Sequence, residues 1–270
     1  MKVTTQDYYM DGYMVTNLET AVSALKKDFD MIFVLDGYEG SGKSVLAQQL
    51  AFFCDSTLTL SRIVFNPDDF KKVVMESKPY QSIIYDEAYG GLSSRGAMGA
   101  VNKSIVQMLT VIREKNLFIF IVLPTFFDLD KYVALWRSRA LIHVYVEKDF
   151  KRGYFKFYNV DRKKALYVLG KKFYDYKYGK PNFIGRFTKH YVVDEAEYRA
   201  KKSKSSIEDD NANITGKSEA KNIKQLITKN LKNEGIGLSQ VQISKILGIT
   251  TMTIHRYLKK PADNEESLGN

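Results

Sequence analysis

Met31-Ile32-Phe33-Val34-Leu35-Asp36-Gly37-Tyr38-Glu39-Gly40-Ser41-Gly42-Lys43-Ser44 is the stretch on which the reading of the fold turns. Met31 to Leu35 is an unbroken apolar run, as expected of a strand buried on both faces. Gly37 to Ser44 fits G-x-x-x-x-G-K-[ST] at every fixed position, and a helical pattern (Val45, Leu46, Leu50, Phe53) follows at once. Glycines let successive backbone N–H groups close on phosphate oxygens. The helix N-terminus adds its partial positive charge. In such a cradle Gly37, Tyr38, Glu39, Gly40, Ser41, Gly42, Lys43, Ser44 and Val45 surround the phosphates of ATP. Lys43 reaches the β- and γ-phosphates, and the Ser44 hydroxyl ligates Mg²⁺. The plain alternative, a chance glycine turn before a helix, is disfavoured by the flanking strand.

Downstream, Ser82-Ile83-Ile84-Tyr85-Asp86-Glu87 is a short apolar strand ending in two acids. After a phosphate loop, Asp86 is placed to hold Mg²⁺ beside Ser44. Glu87 is placed to polarise an attacking water as general base. The bland reading is that both acids only end a strand in solvent. Leu117 to Leu123 carries no polar residue, which predicts a central strand covered on both faces. Thr125, just past Pro124, is either a γ-phosphate sensor or a turn threonine. Arg137 and Arg139 lie between a helix read over Phe127–Trp136 and the strand Ala140 to Val146. They are candidates for an arginine finger reaching a neighbouring subunit, with a salt-bridged helix end as the equal alternative. His143, inside that strand, reads as structural.

The rest of the chain frames this core. A covering helix is expected over Leu18–Lys27, capped by Asn17. Another is expected from Asn66-Pro67-Asp68-Asp69, with Pro at its first turn. The glycine- and serine-rich segment from Ala88 to Ala100 reads as a loop over the site, followed by a helix from Lys103 to Glu114. Residues 148–192 mix Lys, Arg and Tyr and read as a β-hairpin extension, with Ala165 to Leu169 as one of its strands. Basic residues interleaved with aromatics either track a nucleic-acid strand or pack rings on the core and show lysines to water. A charged helix follows, Asp194 to Lys204. Cys54, the single cysteine, reads as a core residue of an apolar helix.

Residues 203–218 are polar and read as a linker. In 219–260, eight Lys/Arg stand against two Glu. Ile243, Leu247, Ile249, Ile254 and Leu258 are spaced for a small core, with Gly248 at a turn, the pattern of a helix-turn-helix. Its second helix would present Thr251, Met252, Thr253, His255 and Arg256 to DNA. A protein-docking three-helix module is the alternative. Residues 261–270 read as a disordered tail.

The sequence thus predicts an α/β fold with a mostly parallel sheet, helices on both faces, a β-hairpin extension and a small all-α domain. The ATPase domain spans 1–200, with its core at 30–147. The formal charge of +10 favours a polyanionic partner, nucleic acid before membrane. No run approaches the ~20 apolar residues that span a bilayer, and the polar start is unlike a signal peptide. A cytoplasmic setting is the expectation.

Together, Gly37 to Ser44, Ile83 to Glu87 and the strand 117–123 resemble the additional-strand, catalytic-glutamate (ASCE, RecA-like) branch of the P-loop NTPases. Asp86-Glu87-Ala88, the helix ending Ile112-Arg113-Glu114-Lys115 and the apolar strand after it are similar to FtsK/HerA-type DNA-pumping ATPases. They are also similar to zonula-occludens-toxin-like and viral packaging ATPases. Where that group commonly carries a Gln after the fourth strand, this chain has Pro124-Thr125. The resemblance implies strand 117–123 lying between the phosphate-loop strand and the Asp86 strand. It implies a Mg²⁺-dependent ATPase acting on DNA, in translocation, packaging or mobile-element DNA processing of a phage or plasmid; a ring homo-oligomer is expected from the arginine-finger logic. An ATP-dependent DNA-binding switch, whose nucleotide state sets oligomerisation, is the alternative. A small-molecule kinase is disfavoured by Glu87 directly after Asp86 and by the basic C-terminal domain.

Overall fold

The structure, a computed structural model, describes residues 8–86, 94–205, 224, 227–228 and 238–259, with the backbone alone at 94–97 and 259. The chain divides into two compact units, 1–207 and 208–270.

The first unit is built on one seven-stranded sheet. Its strands are β1 Met31–Asp36, β2 Ile63–Val64, β3 Ser82–Tyr85, β4 Phe118–Val122, β5 Ser138–Tyr145, β6 Tyr154–Tyr158 and β7 Phe183–Arg186. They lie in the order β2-β3-β4-β1-β5-β6-β7. β1 to β5 are mutually parallel, and β6 runs antiparallel to its two neighbours, β5 and β7. β4 sits between β1 and β3, pairing Met31 with Phe118 and Ile83 with Ile119. The central, doubly covered position of β4 is what its apolar run predicts, and its place between β1 and β3 is the order that the resemblance implies; the fold is a mixed α/β one on a mostly parallel sheet.

The period-2 alternation of β1 explains why its run is continuous. Met31, Phe33 and Leu35 pack with helices α1 (Gly12–Leu25) and α2 (Lys43–Cys54). Ile32 and Val34 pack with α3 (Pro67–Glu76), α4 (Ser94–Glu114) and α5 (Val160–Gly170). A strand covered on both faces has no polar position to offer. A last helix, α6 over 195–205, packs through Tyr198 on the α1/α2 side. No described helix is long and apolar enough to cross a membrane.

Four expectations need correction. α1 spans Gly12–Leu25 rather than 18–27, because the Asp11 carboxylate, not Asn17, accepts from the first free amides, Tyr13 N–H at 3.0 Å and Met14 N–H at 3.3 Å. α4 begins at Ser94, so part of the glycine-rich segment is helical. The expected helix over Phe127–Trp136 is a 3₁₀ turn, Phe126–Asp128, and a π-turn, Val133–Arg137. Asp130 restarts the chain between them by accepting from Tyr132 N–H at 2.8 Å. Ala165 to Leu169 is not a strand but lies inside α5. There the inward residues are Lys163, Leu166, Tyr167 and Gly170, a helical spacing in which a buried lysine takes an apolar place. The hairpin extension is therefore β6 and β7, continuous with the main sheet and separated by α5.

The second unit is described in two helices. α7, Gln240–Leu247, starts in a capping box formed by Ser239 and Gln242, and ends at Gly248 with φ +60°. α8 is Thr251–Lys259. Ile243 and Ile254 are fully buried between them, and Tyr257 is nearly so. The expected first helix of this domain, the linker and the tail lie almost wholly outside the described residues.

Lys163 yields a pH prediction. Its ammonium has no accessible surface and donates to the carbonyls of Ala134 and, at 3.4 Å, Leu135, at the π-turn. Burial, with the like charges of Lys164 and Arg139, pushes its pKa down to about 7. Between about pH 7 and the unfolded value of about 10.4, the unfolded chain holds a proton that the folded chain has shed. Stability attributable to Lys163 therefore rises with pH across that window. In urea unfolding from pH 7 to 10, the stability difference between wild type and Lys163→Met should grow with pH. A pH-independent difference contradicts this.

Candidate nucleotide and metal site

β1 delivers the phosphate loop at the C-terminal edge of the sheet. Gly37 has φ +135°, and a Cβ there would lie 1.9 Å from the Val144 carbonyl oxygen on β5. Gly40 and Gly42 have φ +72° and +102°. Gly42 is the N-cap of α2, whose first turn begins with Lys43 and Ser44. The loop thus puts its freest backbone conformations where amides must turn toward one point. The Lys43 ammonium folds over it, donating to the carbonyls of Gly37 at 2.7 Å and Tyr38 at 2.9 Å. Ser41 is buried, and its hydroxyl has no hydrogen-bond partner among the described residues. Tyr38, by contrast, stands 79% exposed on the loop.

Across from the loop, Asp86 follows β3 and is buried. The Ser44 hydroxyl donates to Asp86 Oδ1 at 3.0 Å. β4 separates their strands in the sheet, so this contact spans from the head of α2 to the end of β3. A hydroxyl and a carboxylate facing each other beside a lysine are hard oxygen donors that fit Mg²⁺. The glycine loop with its orphaned hydroxyl fits phosphate. Tyr198 of α6 donates to the other carboxylate oxygen, Asp86 Oδ2. Burial, reinforced by the Asp86 charge, raises the Tyr198 phenol well above its ordinary value, so it is a donor at neutral pH. Glu87 lies outside the described residues.

A second buried cluster lies at the neighbouring strand ends. Asp36, with no accessible surface, accepts from Phe126 N–H at 2.8 Å and from the Tyr176 hydroxyl. It also lies 2.9 Å from His143 Nδ1. Tyr176 stacks on His143 at 4.0 Å between centroids, and its hydroxyl is 3.3 Å from Thr125 Oγ1. Burial first, and then the Asp36 charge, push the Tyr176 phenol far upward. His143, read from sequence as a strand residue with no visible ligand partner, lies in this polar cluster against Asp36 and Tyr176. Thr125 sits at the end of β4, next to this cluster.

Arg137 and Arg139 are at the other end of the sheet. Both pair with the buried carboxylate of Asp30: Arg137 through a short contact, and Arg139 at 3.6 Å. β1, which runs from Asp30 to the phosphate loop, is six residues long, about 20 Å at strand rise. Neither arginine reaches the site of its own chain.

Two residues near the site escaped the sequence reading. Arg152 lies beside the loop, its guanidinium nitrogen 3.7 Å from where a Gly40 Cβ would stand, and it makes no hydrogen bond or ion pair among the described residues. In sequence it was one basic residue in an aromatic run. Tyr198 was hidden in a charged helix. The available signal was that one large ring among Glu, Arg and Lys has to face inward. The neighbouring aromatics divide: Phe155, Phe157 and Tyr158 belong to the core, whereas Phe150 is 89% exposed. Lys156 lies over Tyr145, and Arg186 and Lys151 over Tyr154, at 5.1–5.8 Å. In the second unit Thr251, Met252, His255 and Arg256 are exposed on α8 and Thr253 is half-buried.

No family model matches the chain, and no curated protein does. Among solved structures it is similar to the genome packaging NTPase of Sulfolobus turreted icosahedral virus 2 in complex with ATP-gammaS. That likeness has 18% identity and a TM-score of 0.33, over 50% of this chain and 94% of that one. It is also similar to the N-terminal domain of zonular occludens toxin from Neisseria meningitidis, at 15% identity and a TM-score of 0.35, over 63% of this chain and 98% of that one.

The loop geometry separates two glycine substitutions. Gly37→Ala drives a Cβ into a backbone oxygen at a φ that side chains rarely adopt; its cost is at least about 3 kcal/mol of folding stability. Gly40→Ala meets only ordinary contact and costs about 1–2 kcal/mol. Denaturant titration of both variants checks this; equal losses contradict it.

Proposed function

We propose that this chain is a Mg²⁺-dependent ATP hydrolase that handles DNA. The observation that carries the reading is the Ser44–Asp86 contact beside Lys43, on a sheet whose strand order brings the two together. Gly37 to Val45 bind the phosphates, and Lys43 neutralises their charge as the bond to the γ-phosphate breaks. Ser44 and Asp86 would hold the metal, which would supply positive charge against the phosphate oxygens. Glu87, directly after Asp86, takes a proton from the attacking water. A site with both a metal pair and a base is built for hydrolysis rather than for binding alone.

An arginine completes the charge stabilisation. Arg137 and Arg139, committed to Asp30, act only toward a neighbouring subunit of a homo-oligomeric ring. Arg152, beside Gly40 in the same chain, supplies the guanidinium in cis. Thr125 senses the γ-phosphate through its place at the end of β4.

DNA enters through charge and through the second unit. Thr251, Met252, Thr253, His255 and Arg256 lie on a short helix that follows a tight glycine turn, in the manner of a recognition helix. Translocation or packaging of a phage, plasmid or mobile-element genome is the process this combination serves best. The division at 207/208 also suits a second reading, in which nucleotide sets oligomeric state and the second unit alone holds DNA.

Three measurements bear on this. DNA-stimulated ATP hydrolysis should be abolished by Glu87→Gln while ATP binding survives; unchanged hydrolysis removes Glu87 from its role. Arg152→Ala should lower kcat by about 10²-fold or more. Mixing it with Lys43→Ala protein should restore nothing, whereas recovery would show that the arginine acts between subunits. Deleting 205–270 leaves much of the DNA-stimulated turnover of a motor, and none of the DNA binding of a switch.

A further inference from the structure

We infer that Tyr198 is a positioning residue for the metal-binding pair Ser44 and Asp86, and that the site is complete only when the segment 187–205 is docked on the phosphate-loop helix. This rests on the ATPase reading above.

Each Asp86 oxygen is held by a different element. Oδ1 accepts from Ser44 at the head of α2, and Oδ2 accepts from Tyr198 on α6, 112 residues later. Carboxylates have about four lone-pair sites, so both bonds leave room for a cation or its water. The Tyr198 ring is 3% exposed and is fixed by Phe65 and Tyr191 at 5.9 and 5.6 Å between centroids. Its hydroxyl therefore has little freedom to turn elsewhere.

The segment that carries Tyr198 grips the phosphate-loop helix itself. The Phe187 ring lies 3.1 Å from where a Gly42 Cβ would stand. Gln49 donates to the carbonyls of Thr188 at 2.8 Å and His190 at 3.0 Å. Gln48 accepts from Val192 N–H at 3.3 Å. Both glutamines are fully buried on α2, where the segment engages one polar atom of each amide, Gln48 Oε1 and Gln49 Nε2. Beyond Tyr198, Lys201 donates to the carbonyls of Leu60 at 2.9 Å and Ile63 at 2.7 Å, ahead of and within β2. These contacts fall on the loop, on α2 and on the strand next to β3. The segment is also held by the N-terminal stretch, where Phe187 bridges Met10 and Tyr9 N–H donates to Thr188 Oγ1 at 3.1 Å, and by Gly153, whose carbonyl accepts from Phe187 N–H at 2.9 Å. Hydrogen bonds to a ligating carboxylate set its orientation, and losing one typically weakens metal binding 10–100-fold. The opposite arrangement, a phenol that plugs the metal position and has to leave, would make its removal favourable to the metal.

The test uses full-length protein, a non-hydrolysable ATP analogue and Mn²⁺ as the probe, with bound metal followed by electron paramagnetic resonance. Tyr198→Phe keeps the ring and removes the bond. Mn²⁺ should bind 10–100-fold more weakly, with analogue affinity in EDTA unchanged. Unchanged or tighter Mn²⁺ overturns the inference. Lys201→Met loosens α6 without touching Ser44 or Asp86 and should weaken Mn²⁺ several-fold; wild-type affinity there overturns the docking requirement. In hydrogen exchange, Mn²⁺ with analogue should raise protection across 188–205 in wild type and not in Tyr198→Phe; equal protection in both overturns the coupling. Wild-type protein that binds no analogue at all overturns the ATPase reading, and this inference with it.

Discussion

A single hydrogen bond, Ser44 Oγ to Asp86 Oδ1 at 3.0 Å, summarises what the fold has to achieve. The two residues lie on elements whose strands are not adjacent. Their meeting depends on β4 being inserted between β1 and β3 and on all three running parallel. Parallel strands place their C-terminal ends along one edge, and α/β folds put their ligand chemistry there. The apolar run of β4, buried throughout, makes that insertion favourable, since a strand covered on both faces loses all its apolar surface to water-free contact.

Around this bond the edge of the sheet is polar but tied down. Asp36, one residue before the phosphate loop, has its carboxylate engaged by Phe126 N–H, His143 and Tyr176. A buried carboxylate is tolerated only with such partners. The cluster joins β1, β5 and the turn after β4 directly behind the loop. Asp86 is engaged in the same way by Ser44 and Tyr198. The two acids thus give the site two fixed walls, while the loop between them holds three glycines at positive φ. Rigidity at the walls and permissive backbone at the loop are complementary requirements for closing amides on a phosphate.

Much of this was legible in the sequence, because it is local. The loop is a contiguous motif, the core strands are uninterrupted apolar runs, and the helix start at Asn66-Pro67-Asp68-Asp69 is a short-range pattern that the structure repeats. What was not legible depends on distant partners. The buried Lys163 disguised α5, since an inward lysine reads as a solvent residue until the carbonyls of Ala134 and Leu135 are seen above it. Tyr198 belongs to the site only because α6 returns to α2. Arg152 and the Arg137–Asp30–Arg139 group exchange places for the same reason: spacing in sequence does not say which end of a parallel strand faces the loop.

The central claim is that Ser44 and Asp86 form one metal–nucleotide site. A double-mutant cycle on Mg²⁺-dependent ATP affinity tests it directly, with Ser44→Ala, Asp86→Asn and the pair. One shared metal predicts that the double variant loses about as much as either single one, with a coupling of at least about 1 kcal/mol. Losses that add, or that persist unchanged when Mg²⁺ is removed, would contradict the account.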